Sequence, residues 1–468
     1  TPLPPPLPPL PPPPLHLTVA GYHQQVGGLL FGEGAGDKFS WDAVRLSHDG
    51  QTLAVGARLN KGPDGNLVTA GHVRVYTRNS TAWTQRGDDF DAPGGADAVS
   101  DEYGYTIGMS ADGTVVAVGA YGGMYVNVKK WNGASWEPMG QHIAKHPDAT
   151  HDWGHRVDLS ADGSVLAVVS FQRNSAYIYK HNAASDEWVI MTGGVLGFQK
   201  NGVTLTGGSS GAWWGFSMAL SADGTTVVAG CRCNGQLPRV AKWDGAAWVV
   251  RSPLWEGGAW VDRYLYGSHD PAPPTGSGYG HSVALNADGT ILALGDGATD
   301  QGATNTGHVE VYKWDGTDYA PRGSVIVGSL SEGSNGKGVS LSADGLLLAT
   351  SSHANHPVRV WDGSDWQAVP EPTTTTDTHS QNVPCCTWPA SYSTTVLSGD
   401  GTTLAIGHYS YDGPLGADQG RVRTFARYDH ASPPALPAPP APPPSPPSPP
   451  PPPPSPPPGL PWWFVSPP

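Results

Sequence analysis

One fourteen-residue phrase occurs seven times along this 468-residue chain. Each copy has an apolar run, a Ser-Ala-Asp-Gly cluster or a close variant of it, and a second apolar run, as in VDLSADGSVLAVVS from Val157. Successive copies are 50 to 65 residues apart, which is too long for one hairpin and suits a four-stranded unit with long loops. The seven Asp-Gly pairs begin at Asp49, Asp112, Asp162, Asp223, Asp288, Asp344 and Asp400.

Every repeat predicts antiparallel strands. Alternating apolar residues on both sides of Asp-Gly indicate a hairpin, because glycine tolerates the positive φ of a tight turn. A third run follows, such as residues 307–312, and then a turn between two aromatic residues, as between Trp361 and Trp366. Paired aromatics across such a turn fix the register of two strands. Apolar residues at helical spacing are missing, so the sequence predicts an all-β, seven-bladed β-propeller.

The seventh repeat lacks its fourth strand. After residues 420–425 no Trp-bearing strand follows, and the chain continues into prolines from Ser432. Residues 22–27 resemble the fourth strands of other repeats, such as residues 83–87. We therefore expect an N-terminal strand to complete blade seven and to hide the edges of the ring. Both ends of the chain would then leave the ring from one place.

Composition divides the chain into three parts. Residues 1–15 and 432–468 hold 32 of the 48 prolines and no charged residue, whereas residues 16–431 hold all the repeats. Uncharged proline-rich sequence favours polyproline II, an extended helix without internal hydrogen bonds. We predict two polyproline II tails flanking the propeller. At about 3.1 Å per residue, residues 433–458 would span about 80 Å.

The charge pattern excludes several partners. Only 14% of residues are charged, against about 25% in an average globular protein. The net charge of −14 argues against nucleic acid and anionic membrane as partners. No run of 18 apolar residues occurs, so the sequence predicts no membrane span. The chain opens without a charged, apolar leader, which for a secreted protein is expected of the mature form.

The four cysteines form two close pairs, Cys231 with Cys233 and Cys385 with Cys386. This spacing differs from that of zinc sites. In an oxidising compartment we expect all four to form disulfides, and we expect both pairs on the face opposite the Asp-Gly turns. The sequence leaves their connectivity open.

Two local patterns suggest chemistry at first sight. A polar stretch combines His142, His146, Asp148, His151, Asp152 and His155, but no helical face aligns these side chains as metal ligands. We interpret it as a solvated loop followed by a histidine, His155, that comes directly after the Trp-Gly element of its blade. Residues 207–211 match Gly-x-Ser-x-Gly, yet they lie in a Gly/Ser loop before a strand rather than at a strand-to-helix elbow. We therefore predict no enzyme activity, no catalytic or metal site and no cofactor.

Sugar attachment is predicted in two places. Asn79 opens an Asn-Ser-Thr acceptor for N-glycosylation within a hairpin loop. The Ser-Pro runs of the C-terminal tail resemble the hydroxyproline-rich, extensin-type glycoproteins of green algal and plant cell walls. This resemblance implies hydroxylated and O-glycosylated prolines and glycosylated serines at Pro442, Pro443, Pro444, Ser445, Pro446, Pro447, Ser448, Pro449, Pro450, Pro451, Pro452, Pro453, Pro454, Ser455, Pro456, Pro457 and Pro458.

The repeats themselves resemble two propeller families. Tyr103-Gly104 and Trp153-Gly154 stand where the FG-GAP motif of integrin α propellers has Phe-Gly, and Trp361-Asp362 is similar to the dipeptide of WD repeats. Integrin-type calcium loops need several carboxylates. Each Asp-Gly turn of this chain offers one, so we expect no calcium there.

The end of the C-terminal tail differs from the rest of it. Trp462, Trp463, Phe464 and Val465 form an apolar segment, which we interpret as an anchor that buries itself in another subunit. The sequence as a whole favours a structural subunit of an extracellular fibre or cell-wall layer, with copies of itself and glycans as partners. The alternative is a secreted adhesin or lectin whose propeller binds glycan or protein and whose tail is a stalk.

Overall fold

The computed structural model describes residues 22–62, 69–79, 82–93, 100–197, 214–231, 238–250, 255–256, 259–260, 280–297, 306–316, 319–328, 335–351, 357–369 and 393–427. Within these ranges the chain forms 33 β-strands. No helix in them could cross a bilayer. Residues 429–468 are separate from the unit that contains the strands and lie outside the described ranges.

Seven antiparallel sheets form the blades of a propeller, as predicted. The first strand, β1 (Tyr22–Phe31), belongs to blade 7. Blade 1 contains β2 (Val44–Leu46), β3 (Thr52–Ala57), β4 (His72–Arg78), β5 (Trp83–Gln85) and β6 (Phe90–Asp91). Blade 2 contains β7 (Tyr103–Met109), β8 (Val115–Ala120), β9 (Tyr125–Trp131), β10 (Trp136–Pro138) and β11 (Ile143–Ala144). Blade 3 contains β12 (Arg156–Leu159), β13 (Val165–Ser170), β14 (Ser175–Asn182) and β15 (Glu187–Gly197).

The remaining blades follow the same order. Blade 4 contains β16 (Trp214–Leu220), β17 (Thr226–Cys231), β18 (Arg239–Trp243) and β19 (Trp248–Val250), and a separate hairpin of β20 (Trp255–Glu256) and β21 (Ala259–Trp260) follows it. Blade 5 contains β22 (Ser282–Leu285), β23 (Ile291–Asp296), β24 (His308–Trp314), β25 (Tyr319–Pro321) and β26 (Ile326–Val327). Blade 6 contains β27 (Gly338–Leu341), β28 (Leu347–Ser351), β29 (Val358–Trp361) and β30 (Trp366–Ala368). Blade 7 contains β31 (Ser393–Leu397), β32 (Thr403–His408), β33 (Arg421–Arg427) and β1.

The N-terminal strand completes the last blade. β1 pairs with β33 antiparallel, and the pairing begins with Tyr22 opposite Arg427. Blade 1 holds this strand from its other side, because the Trp83 indole N–H donates to the Thr424 hydroxyl (2.8 Å) and that hydroxyl donates to the Val26 carbonyl (2.6 Å). The expected closure is therefore confirmed.

Six of the seven Asp-Gly turns are stabilised by their own serine, and the seventh by an asparagine. In blade 3 the Ser160 hydroxyl donates to the Asp162 carboxylate (2.6 Å), which also accepts the Ser164 N–H (2.9 Å). The Ser160 oxygen in turn accepts the Val165 N–H at 2.9 Å. Blade 5 has Asn286 instead of serine, and its side-chain oxygen accepts the corresponding N–H of Ile291 (2.7 Å). These bonds satisfy the backbone of the turn locally.

The seven turns are joined to one another by a closed ring of backbone hydrogen bonds. The N–H of the residue before each turn Asp donates to the equivalent carbonyl of the next blade, and Asp400 donates back to His48. The donor and acceptor pairs, 2.7 to 3.0 Å long, are His48 to Ala111, Ala111 to Ala161, Ala161 to Ala222, Ala222 to Ala287, Ala287 to Ala343, Ala343 to Gly399 and Asp400 to His48. Seven blades therefore close without a gap at this level, which we call the turn face.

The glycine of each turn also packs against the preceding blade. Gly163 has a φ of +68°, and a Cβ atom there would lie 2.8 Å from the Val115 Cβ of blade 2. The same contact recurs between Gly113 and Thr52 at 2.6 Å. Glycine is needed at these positions both for its backbone conformation and for the close approach of the blades.

Aromatic pairs occupy the outer hairpins, as predicted. Trp131 lies opposite Trp136 and Trp361 opposite Trp366, with ring centroids 5.3 and 5.5 Å apart. The Arg322 guanidinium stacks on Trp361 at 4.5 Å. These tryptophans pack between blades, and the structure gives them a structural role.

Candidate functional site: the mouth of the central channel

The first strands of the blades surround a central channel of about 400 Å³. Each of these strands begins on the face opposite the turn face, which we call the mouth face. One residue per blade, seven positions before the turn Asp, lies where the channel opens. In blades 1 to 6 these residues are Asp42, Tyr105, His155, Phe216, His281 and Lys337, and all six line the channel.

Aromatic side chains form a nearly continuous band around this opening, which we call the aromatic belt. It passes from blade 7 through blades 1, 2, 3 and 4 to blade 5. In each pair of rings that contact one another, the two centroids lie 4.0 to 5.6 Å apart. Most of these rings are half-buried, so each keeps part of its surface accessible. The belt consists of Tyr409, Trp41, Tyr105, Tyr121, His155, Phe171, Phe216 and His281.

A cation joins the two halves of the belt. The Arg58 guanidinium carbon lies 4.2 Å from the Trp41 ring centroid and 5.1 Å from that of Tyr105. Arg58 also forms a salt bridge of 2.5 Å with Glu102. Cation–π contacts of this kind favour an ordered guanidinium, so the two rings are held at a defined separation.

A second charged pair crosses the channel opening. Arg156 of blade 3 bonds Asp42 at the start of blade 1, and its other nitrogen donates to the His155 carbonyl (3.0 Å). Blades 1 and 3 are not neighbours, so this ion pair spans blade 2 across the mouth. Opposite charges are thereby matched within the site.

One of the two histidines of the belt, His155, is neutral. His155 is buried, and burial lowers the pKa of its imidazole well below the ordinary value, with a further lowering by Arg156 and Arg58. Its Nδ1 makes no hydrogen bond to any residue that the structure describes. A neutral ring among Tyr105, Phe171 and Phe216 acts as a packing surface.

The channel wall below the mouth contains the half-buried carboxyl of Asp158. Burial raises the pKa of Asp158, and this outweighs the opposing effects of Arg45 and of the hydrogen bonds from the Leu220 and Leu159 N–H groups. Two hydroxyls near the mouth donate to backbone carbonyls of the next blade, Ser217 to Gly280 and Ser282 to Gly336, each at 2.8 Å. Both hydroxyls thus link blades, and their protons are engaged in backbone bonds.

The polar stretch that enters blade 3 does not form one site. His142 pairs with Asn127 (3.1 Å), whereas His146 packs on Tyr177 with ring centroids 4.8 Å apart. Asp152 accepts bonds from the Ser170 hydroxyl (2.8 Å) and the Gln172 N–H (2.7 Å). Asp152 is buried, so the interpretation of the loop as solvated is wrong for this residue. Its carboxylate is held inside the fold by these bonds to the end of β13.

One other cluster brings together metal-type ligands. Among the residues described, Glu33, His72 and Asp89 approach one another closely enough to hold an ion. The Arg74 guanidinium already bonds both carboxylates, to Asp89 at 2.8 Å. Burial lowers the pKa of His72. A guanidinium supplies the positive charge that a cation would supply, so this cluster is a structural ion pair.

The modification sites predicted from the sequence lie elsewhere. Asn79 is exposed in the outer hairpin of blade 1, where its side-chain oxygen accepts the Ala82 N–H at 2.8 Å. Cys231 ends β17 on the mouth face and is disulfide-bonded, and its partner lies outside the described residues. Three further sets of predicted residues also fall outside them, namely Cys233, Cys385 and Cys386, the prolines and serines of 442–458, and the anchor at 462–465.

The aromatic belt was not predicted from the sequence. Its members occupy two positions of the repeat, seven residues before and nine residues after the turn Asp, with Trp41 one position earlier. These positions vary in residue type while the rest of the phrase recurs. Variable, mainly aromatic residues at fixed offsets were the signal that could have revealed the site.

Comparisons with known proteins identify the fold and no family. No family model matches the chain, and no curated protein matches its sequence. A chain of the mitotic checkpoint complex is 14% identical, with 91% of this chain and 97% of that chain covered and a TM-score of 0.50. The β-propeller domain of Cps50 (Swd1) from Myceliophteria thermophila is 12% identical over 86% of this chain and 98% of that one, with a TM-score of 0.48.

An enzyme also occurs among the similar structures. The periplasmic gluconolactonase PpgL of Pseudomonas aeruginosa is 18% identical over 70% of this chain and 85% of that one, with a TM-score of 0.43. At such identities a structural likeness reports the arrangement of blades alone. This chain is a seven-bladed β-propeller.

Proposed function

We propose that this protein is a structural subunit of an extracellular glycoprotein fibre or cell-wall layer, in which propellers are connected by proline-rich tails. The observation that carries the proposal is the pairing of Tyr22 with Arg427 in blade 7. Arg427 also bonds Thr402 of the Asp-Gly turn, so both ends of the described ring lie on the turn face. The first and last described residues of the ring therefore lie beside each other.

Extracellular location and glycosylation are parts of the same proposal. They rest on the resemblance of residues 442–458 to hydroxyproline-rich cell-wall glycoproteins and on the exposure of Asn79 in an outer hairpin. We also propose that the repeats are related to those of FG-GAP propellers. A disulfide at Cys231 agrees with an oxidising compartment.

Binding suits the channel better than covalent catalysis. The hydroxyls of Ser217 and Ser282 donate to backbone carbonyls, and His155 is a neutral ring among aromatic side chains. The second candidate is therefore an adhesin or lectin, since the half-buried rings of the aromatic belt could stack on the apolar face of a sugar.

Sedimentation velocity separates the two candidates. The full chain should form species larger than one subunit as its concentration rises, whereas a chain that ends at residue 431 should stay monomeric. A full chain that remains monomeric while it binds immobilised cell-wall glycans would favour the adhesin and contradict the structural subunit.

A further inference from the structure

We propose that the aromatic belt on the mouth face is the docking site for the polyproline run 442–458 of a second copy of this chain. This inference rests on the proposed function and names the partner of one particular surface. Its evidence is the chemistry of the belt, the spacing of its rings and the position of the chain ends.

The chemistry of the belt matches proline. Polyproline II segments bind in grooves lined by aromatic side chains, because their preformed backbone loses little conformational freedom on binding. Trp41, Tyr105 and Phe216 each lie half-buried at the mouth and present ring surface there. Residues 442–458 contain only proline and serine, so they offer such a site flat rings and no charge.

The charges of the mouth agree with an uncharged ligand. Arg58 bonds Glu102, Arg156 bonds Asp42, and Lys38 bonds Asp418 at 2.7 Å. These three cations are thus each matched by a carboxylate of the propeller itself. An anionic glycan would need to compete with these carboxylates, whereas a proline segment leaves the pairs intact.

The spacing of the rings fits the polyproline helix. Trp41 and Tyr105 lie 4.2 and 5.1 Å from the same guanidinium carbon, which places their centroids no more than about 9 Å apart. One turn of polyproline II has three residues and rises about 9 Å. Both rings therefore lie within the span of one turn, so a single turn of the polyproline helix can contact Trp41 and Tyr105 together.

The position of the chain ends makes a second copy the natural donor. The described ring ends on the turn face at Arg427, and the belt lies on the opposite face. A contact between one face of a subunit and the opposite face of the next is heterologous, so it can repeat without closing into a dimer. As a polyproline II helix, residues 433–458 would be about 80 Å long, which is enough to reach from one subunit to the next.

A labelled synthetic peptide of residues 442–458, without hydroxylation or sugar, tests the site on the full chain. We expect saturable binding, measured by fluorescence anisotropy, that changes less than twofold between low and high sodium chloride. Trp41→Ala and Tyr105→Ala should each weaken binding at least tenfold. Trp361→Ala is the matched control, because Trp361 is also a half-buried tryptophan stacked by an arginine but lies on the turn face.

Cross-linking keeps the test independent of how the variants fold. A photoreactive group on the same peptide should label wild-type segments that contain Trp41 or Tyr105. Labelling of the turn face, equal binding of a Gly-Ser peptide of the same length, or unchanged binding to Trp41→Ala and Tyr105→Ala would overturn the inference. Preferential binding of a peptide of residues 460–468 at the belt would overturn it too.

The outcomes also separate this inference from the proposed function. If the peptide binds at the belt but the full chain never assembles, the docking site stands and the structural role fails. If the full chain assembles and the double variant Trp41→Ala, Tyr105→Ala assembles equally, the structural role stands and the docking site is wrong.

Discussion

Replacing a turn glycine should destabilise the propeller more than replacing a glycine that also has a positive φ but has no neighbouring atom in the way of a Cβ. Gly163 has a φ of +68°, and its Cβ would lie 2.8 Å from Val115 of blade 2. Gly36 has a φ of +85°, and a Cβ there would meet nothing within 4 Å. The two positions therefore share one kind of strain and differ in the contact with a neighbouring blade.

The expected magnitudes follow from that difference. A left-handed conformation costs a residue with a Cβ roughly 1–2 kcal/mol, which both alanine variants incur. Overpacking against Val115 adds about 1–3 kcal/mol in Gly163→Ala. We therefore expect the free energy of unfolding to fall by about 1–2 kcal/mol in Gly36→Ala and by about 2–5 kcal/mol in Gly163→Ala.

Urea unfolding followed by tryptophan fluorescence measures both variants against the wild type. The midpoint should fall further for Gly163→Ala, with little change in the slope of the transition. Equal midpoints for the two variants would show that the blades do not approach each other closely at the turn, and the reasoning on the turn face would be refuted.

Three further predictions concern the turns and the tails. Burial raises the pKa of Asp162, but bonds from Ser160 and Ser164 outweigh it, so its folded pKa lies below the ordinary value. The stabilisation is therefore present above the unfolded pKa of about 4 and is lost as the pH falls through the lower folded pKa, so urea midpoints should drop in acid and drop less in Asp162→Asn. A chain truncated after Gly459 should fold but assemble more weakly than the full chain, because it keeps the proline run 442–458 and lacks the predicted aromatic anchor; assembly equal to that of the full chain would rule the anchor out. Mass spectrometry of native material should find hydroxylated and glycosylated prolines in residues 442–458 and an N-glycan on Asn79, and unmodified peptides would contradict the predicted modifications.

The architecture could be predicted because the repeat encodes it locally. Ser160, Asp162 and Gly163 bond to one another or shape one turn, so the same residues must recur wherever the turn recurs. The missing fourth strand of the seventh repeat predicted the role of β1 for the same reason.

The closed ring of backbone hydrogen bonds could not be predicted in this way. It joins N–H and carbonyl groups of residues such as Ala111 and Ala161, and backbone groups are the same in every residue. In the sequence, only the small residues that precede most of the turn aspartates, such as Ala111 and Ala161, indicated that neighbouring turns lie close together.

The aromatic belt was hidden for a different physical reason. Tyr105, His155 and Phe216 are 50 or more residues apart and share no motif. They meet because seven-fold repetition brings equivalent positions of all blades to one axis. A site formed by residues that differ from repeat to repeat can be recognised only when the fold shows which residues lie close together.

Electron microscopy of the full chain in its assembled form tests the central claim most directly. The account predicts rows of seven-bladed rings in one orientation, with the turn face of each ring towards the mouth face of the next and density connecting them. Single rings at every concentration, or rings paired through the same face, would contradict it.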